Sequence, residues 1–403
     1  MHVVFAVPFL MPATLRFVRG ALGVPGVRLS VLSQDPQEKL PPDLAGRLAG
    51  YVQVRDALDA AVLERGTAEL ARRVGPVARL IGSLEQLQEP LAVACAALGL
   101  PGLSVEAARN FRDKARMKDV LRAHGLPCAR HCLAASAAEA RAFVAERGFP
   151  VVAKPPAGAG AAATHRIDDG ATLERYLERY VPRPAAPVLI EEFLSGTEHS
   201  FDSIAIDGRL VWWSVSRYVP SPLTVLENPW IQWCVLLPRE LDGYADIRAA
   251  GAAALGALGL VTGMTHMEWF RRPDGSLAIS EVAARPPGAQ FTSLLSYAHD
   301  LDFYAAWSRL LIEGRFEAPP RRYAVGAAYV RGQGSGRVRQ IHGLDAAQRE
   351  FGALVVEAKL PKAGDPQPSG YEGVGHVILR HPDTGVVEAA LRRIVSLIRV
   401  ELA

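Results

Sequence analysis

The sequence predicts an α/β protein with a doubly wound N-terminal unit, a larger middle unit and a small C-terminal α+β unit. Three observations carry that expectation. Strand-like and helix-like runs alternate through the first hundred residues. From 149 to 283 a strand, a small-residue loop, a helix and paired strands follow one another. From Tyr323 the pattern changes to short strands with glycine-rich turns and one closing helix. A length of 403 residues agrees, because about 150 residues per domain gives two to three domains.

In the first unit, HVVFAV (residues 2–7) and VRLSVLS read as strands. LAGRLAGYVQV and AELARRV read as helices, and EQLQEPLAVACAALGLPG as a helix closed by Gly99 to Gly102. Such alternation points to a parallel sheet with helices on both faces. Residues 112–145 then hold two helical patterns, the second opened by Ser136 and Glu139 at capping-box spacing. FPVVAKP is a strand ending in Lys154, and 156–165 is a loop of small residues. A helix over 171–181 and a strand over 188–194 come next. Two alternating strands flank Asp207-Gly208, a hairpin turn signal. Residues 219–238 are rich in proline and aromatics without clear period, and read as a long functional loop. It is expected to wall a substrate pocket or make a dimer contact; packing on its own domain is the plainer reading. A helix over 245–258 precedes two strands joined by Pro273-Asp274-Gly275, and another helix runs to about 313. Domain boundaries are expected at 110/111 and, beside the APPRR linker, at 318/319.

Composition excludes several classes. With 49% hydrophobic and 22% charged residues the chain is not disordered, and it can build a core without disulfide or metal staples. The net charge of +3 is too small a surplus to imply a nucleic-acid partner. Four cysteines are too few for a disulfide framework, so a reducing, cytoplasmic setting is expected. The N-terminus lacks the basic region and small-residue cleavage site of a signal peptide. The uncharged stretch 249–267 is interrupted by glycines, so no membrane partner is expected.

Three constellations carry chemistry. Glu268 and Glu281 lie on the two strands of the 263–283 hairpin, and His266 shares a face with Glu268. Two carboxylates on one face call for a cation, and Mg²⁺ shared with phosphate oxygens is the natural candidate. Arg285 follows the second strand, where a guanidinium can clamp a phosphoryl or carboxylate group. A surface hairpin with ordinary charges is the bland alternative, and the apolar neighbours weaken it. Second, Lys154 before the Gly158–Gly160 loop supplies a cation and a backbone able to approach phosphates closely. Gly-Lys-Ser/Thr is absent, so this is no Walker A loop, and a surface lysine before a turn explains it about as well. Third, Glu191 and Glu192 end a strand and Glu198 begins the next, where carboxylates can accept from an adenine amino group or ribose hydroxyls. A polar strand edge is the alternative. His124, Cys128, His131 and Cys132 match no zinc-finger spacing and read as a loop.

In order, Lys114, Lys154 with its glycine loop, E-E-F-L-S-G-T-E, H-M-E and E-V-A-A-R resemble the ATP-grasp superfamily over roughly residues 110–310. The resemblance implies an ATP-grasp fold, with residues 111–318 as the ATP-grasp domain, 120–195 as its lid and 319–403 as a C-terminal α+β domain. It implies that Lys114 and Lys154 hold ATP phosphates under the 156–164 loop. It further implies adenine at Glu191, Phe193 and Leu194, ribose at Glu198, and Mg²⁺, with Mn²⁺ as an alternative, at Glu268 and Glu281. Arg285 would stabilise an acyl-phosphate and the intermediate after it. Many members carry E-x-N-x-R, with an Asn that helps bind metal; here that position is Ala283, which is similar to the purine-biosynthetic carboxylase and formyltransferase branches. T-H-M-E looks more like the branch that ligates amino acids, where His266 would lie near the substrate. The implied activity is ATP-dependent ligation of a small-molecule carboxylate to an amine, by a monomer or homodimer. A purine-type carboxylase or formyltransferase and a non-catalytic ATP-binding regulator are the rival readings.

Overall fold

The computed structural model describes residues 1–158, 163–228, 230–367 and 372–403. Among them, strands His2–Ala6, Arg28–Ser33, Gly50–Gln53 and Val77–Ile81 form a parallel sheet. Its spatial order is third, second, first, fourth. Side-chain alternation serves both faces. Val3, Phe5 and Val7 pack with the helix Pro12–Leu22, whereas Val4 and Ala6 pack with Ala60–Val74 and Gln88–Leu98. The sheet is thus doubly wound, as expected. One assignment fails: residues 44–54 are no helix but a turn, Pro42–Ala45, followed by the strand Gly50–Gln53. Gly46 and Gly50 interrupt any helix there, and Tyr51 and Val52 find a parallel partner in Val31 and Leu32.

The middle of the chain carries two antiparallel sheets. The smaller joins His131–Ala134, Val188–Glu192, Val151–Lys154 and His165–Ile167, in that spatial order. Helices Ala137–Arg147 and Gly170–Tyr180 cover it. Ser136 caps the first, accepting from the Glu139 N–H, while the Glu139 carboxylate accepts from the Ala135 N–H.

The larger sheet has eight strands, ordered Leu277–Ala283, Gly263–Arg271, Thr197–Ile206, Arg209–Val219, Trp233–Leu237, Ala324–Val330, Gly375–His381 and Val355–Lys359. It therefore runs without a break from the middle segment into the C-terminal one. The hairpin turn expected at Asp207-Gly208 is present, with both residues at positive φ. The 219–238 segment departs from its expected loop character. It holds a helix, Pro222–Glu227, and the interior strand Trp233–Leu237. W-C-V-L-L is buried throughout and so shows no alternation that a period-2 search would find. Trp233 stacks on Tyr329 with ring centroids 4.2 Å apart. The helix expected to end near 313 is two, Phe291–His299 and Phe303–Glu313, broken at Asp300, which takes the left-handed conformation. A three-stranded sheet, of Gly332–Gln333, Arg399–Leu402 and Val338–His342, completes the C-terminal part. No helix among the described residues is long and apolar enough to cross a membrane. None of them forms a cluster of three or more metal-ligating His, Cys, Asp or Glu side chains; His131 and Cys132 begin the strand His131–Ala134.

Candidate functional site

The Asp113 side chain opens the helix Lys114–Ala123 by accepting from the Ala115 and Arg116 N–H groups. The helix then places Lys114 and Lys118 one turn apart on one face, both buried. Lys114 Nζ lies 2.9 Å from Glu281 Oε1 and donates to the Gly158 carbonyl at 3.0 Å. Lys118 Nζ lies 3.0 Å from Glu191 Oε2 and donates to the Ser280 carbonyl at 2.6 Å. Lys154, the last residue of its strand, pairs with the other oxygen of Glu191. Glu191 is thus held between two ammonium groups. Burial alone would push its carboxyl up, but Lys118 and Lys154 hold it down to about 2. Burial pulls Lys118 down despite Glu191. For Lys154 the carboxylates of Glu191 and Glu281 outweigh burial and raise it.

The hairpin register puts Glu268 directly opposite Glu281 and His266 directly opposite Ala283. On the other side Glu268 faces Ser200 and His266 faces Asp202. Glu198 is two residues from Ser200 on the same strand face, diagonal to Glu268. Glu268 is raised by burial and by Glu281, and Glu198 well raised by burial and by Glu268. Glu281 escapes, because Lys114 and Lys154 more than offset its burial. Glu198, Glu268 and Glu281 stand with Lys114 and Lys154 in one cleft, also lined by Phe193, Leu194, Pro222, Leu223, Ala283, Arg285 and Phe291.

Arg285 reaches this cleft in company that the sequence did not announce. Its Nη2 and Nε donate to Glu85 Oε2 at 2.7 and 3.1 Å. Arg112 Nη1 lies 3.3 Å from the other oxygen of Glu85 and donates to the Gly158 carbonyl at 3.0 Å. Glu85 stands just past the last strand of the parallel sheet, so the first hundred residues supply one side of the site.

The cleft therefore brings together Lys114, Lys154, Gly158, Glu191, Phe193, Leu194, Glu198, His266, Glu268, Glu281 and Arg285. Gly160 lies outside the described residues. The Phe193 N–H is already donated to the Pro150 carbonyl at 3.2 Å. The 219–238 segment does wall the cleft, through Pro222 and Leu223. Sequence reasoning passed over Glu85, Arg112, Lys118, Asp202 and Tyr218. Lys118 had a signal, four residues after Lys114 on the same helix. Glu85 had none, being one acid in a helix-like run of a different unit.

No family model matches the chain. Over 259 residues, 62% of this chain and 61% of the relative, it is 23% identical to an L-arginine-specific L-amino acid ligase of Bacillus subtilis. Over 249 residues it is 28% identical to an alanine–anticapsin ligase of Bacillus subtilis strain 168, covering 55% of this chain and 52% of the relative. The matched segments thus span only about half to two thirds of these curated relatives. The structure of an L-amino acid ligase from Bacillus licheniformis superposes over 100% of this chain and 98% of its own at 18% identity, with a TM-score of 0.77. The biotin carboxylase domain of a 2-oxoglutarate carboxylase from Hydrogenobacter thermophilus, in complex with MgADP, ADP and bicarbonate, covers 99% and 90% at 16% identity, with a TM-score of 0.70.

Proposed function

We propose that the chain, whose fold is that of an ATP-grasp L-amino acid ligase, is an ATP-dependent carboxylate–amine ligase releasing ADP and phosphate. The observation that carries the reading is the cleft itself: Lys114, Lys154 and Arg285 line it together with Glu268 and Glu281, and Lys118 pairs with Glu191 behind them. Such an array suits a polyphosphate with a divalent cation better than any neutral ligand. The names of the relatives favour amino acids, or acids like them, as both substrates.

Mg²⁺ fits the donor set. Glu268 and Glu281 are hard oxygen donors on one strand face, and the charge crowding that raises Glu268 is what a cation would relieve. These two would hold it, and when bound it would neutralise charge on the phosphate oxygens. Ala283 offers no third oxygen at the position where many relatives of the superfamily carry Asn. Lys114 and Lys154 would hold the phosphates. The adenine would lie by Glu191, Phe193 and Leu194, and the ribose by Glu198. The substrate carboxylate attacks the γ-phosphate, the bond to ADP breaks and an acyl-phosphate forms. The amine then attacks the acyl carbon, phosphate leaves and the amine gives up a proton. Arg285, fixed by Glu85, would stabilise the charge that develops in both steps. Enclosure by the walls of the cleft limits hydrolysis of the acyl-phosphate.

A phosphate-release screen over pairs of proteinogenic amino acids, with product masses, tests the reaction. The expected product is the sum of both substrates less water. Release without a condensed product, or no release with any pair, defeats the reading. Glu281→Gln and Arg285→Ala should each lower turnover at least about 100-fold with unchanged circular dichroism. Near-normal release by either variant would show that the site is assigned wrongly.

A further inference from the structure

One feature of the cleft is not used by the chemistry above. His266 has two ring nitrogens in different surroundings. Nδ1 points into the sheet and lies 2.7 Å from Asp202 Oδ1. Asp202 is fully buried. Its second oxygen accepts from Ser200 Oγ at 3.0 Å, and Ser200 in turn contacts Ser216 Oγ at 2.6 Å. Behind them lies the guanidinium of Arg321, also out of solvent, which donates to the Pro238 carbonyl and to Ser214. A carboxylate fixed on every side accepts and does not donate, so the Nδ1 it faces carries the hydrogen. Nε2 is then left with its lone pair in the cleft. Its neighbours are Tyr218 Oη at 3.4 Å and Glu268 Oε1 at 3.9 Å. The first is long for a hydrogen bond and leaves room for a better donor.

The surroundings say what kind of ligand that donor belongs to. Lys114 pairs with Glu281, Lys118 and Lys154 with Glu191, and Arg285 with Glu85. The ring of His266 offers the acceptor Nε2 and has the Asp202 carboxylate behind it. Ala283, opposite His266 across the hairpin, presents only a methyl group to the cleft, and the Phe291 ring stands edge-on to the imidazole at 5.4 Å between centroids. A small N–H donor such as an amine nitrogen is the chemistry that matches an exposed ring acceptor there.

We propose that Asp202 is a positioning residue that holds His266 with Nε2 as an acceptor for the N–H of the amine substrate. The proposal rests on the ligase reading for its substrate, but the ring orientation stands apart from it. Two measurements separate them. In ¹⁵N-histidine-labelled protein, the neutral His266 ring is expected as the Nδ1–H tautomer, and Asp202→Asn is expected to switch it. With the most active pair of proteinogenic amino acids, Asp202→Asn should raise KM for the amine about tenfold and leave KM for ATP within about twofold. His266→Gln, at the cleft surface, repeats the KM test should Asp202→Asn fold poorly. A wild-type ring carrying its hydrogen on Nε2 overturns the proposal. So does an equal rise in KM for ATP and amine, or an unchanged amine KM. No turnover with any pair overturns the ligase reading and the amine role with it, while the tautomer still judges the Asp202–His266 contact.

Discussion

Lys118 shows how much one residue can depend on its partners. It is completely buried, and an ammonium in that position is costly unless it is paired and hydrogen-bonded. Glu191 and the Ser280 carbonyl supply both. The same carboxylate also serves Lys154, so the three residues form one unit. Lys118→Met removes a charge from that unit and leaves Glu191 with a single partner. The expected cost is about 3–5 kcal/mol, read as a lower urea midpoint at neutral pH. A variant as stable as the parent would mean that the pairing contributes nothing. Arg285 presents the complementary case, because its two donors to Glu85 lock it in place before any ligand arrives.

At the scale of elements, a close helix crossing joins the first unit to the middle one. Pro12–Leu22 packs on Phe303–Glu313, with Phe17 edge-on to Tyr304 and Trp307 at 4.8 and 5.0 Å between ring centroids. Gly20 makes that approach feasible. A Cβ there would lie 2.6 Å from the backbone carbonyl of Tyr304 and 2.8 Å from the Ala305 nitrogen. Backbone cannot yield as a side chain can. Alanine ordinarily favours a helix over glycine by about 1 kcal/mol, yet here Gly20→Ala should destabilise by about 1–3 kcal/mol. Chemical denaturation decides the sign, and a stabilised variant would refute the close approach.

For the whole molecule, acid stability follows from groups held away from their ordinary protonation. Burial pulls His199 and His299 from 6.5 to about 4. Glu191, buried but paired, falls from 4.5 to about 2. In each case the folded state binds its proton less readily than the unfolded chain, so stability rises with pH across the interval. The contribution is complete above the unfolded value and is lost as pH falls to the folded one. The contributions of His199 and His299 should therefore decline between 6.5 and about 4, and that of Glu191 between 4.5 and about 2, while Glu198 and Glu268, raised above 4.5, act in the opposite sense. Urea midpoints measured down the pH scale test this. His299→Gln should flatten part of the upper decline, and an unaltered slope would argue against a neutral buried ring.

By itself the sequence determined the local order of this protein. Alternation marked the strands that carry Glu198, Glu268 and Glu281, and the Asp207-Gly208 and Pro273-Asp274-Gly275 turns set which strands pair. Both carboxylates were legible as candidates on the strands of one hairpin, but their register was not: counted back from Arg271 opposite Leu277, Glu268 would face Ser280, and the bulge between Glu268 and Trp269 puts it opposite Glu281. Motif order likewise made Lys114, Lys154 and Arg285 legible as candidates. Tertiary structure decided the rest. Residues 44–54 became a strand because a parallel neighbour was waiting, and W-C-V-L-L became an interior strand because both of its faces are covered. Glu85 and Asp202 entered the site for the same reason. A charge far away in the chain has no local pattern: the end of the parallel sheet brings Glu85 to Arg285, and the pairing of neighbouring strands in the large sheet brings Asp202 to His266.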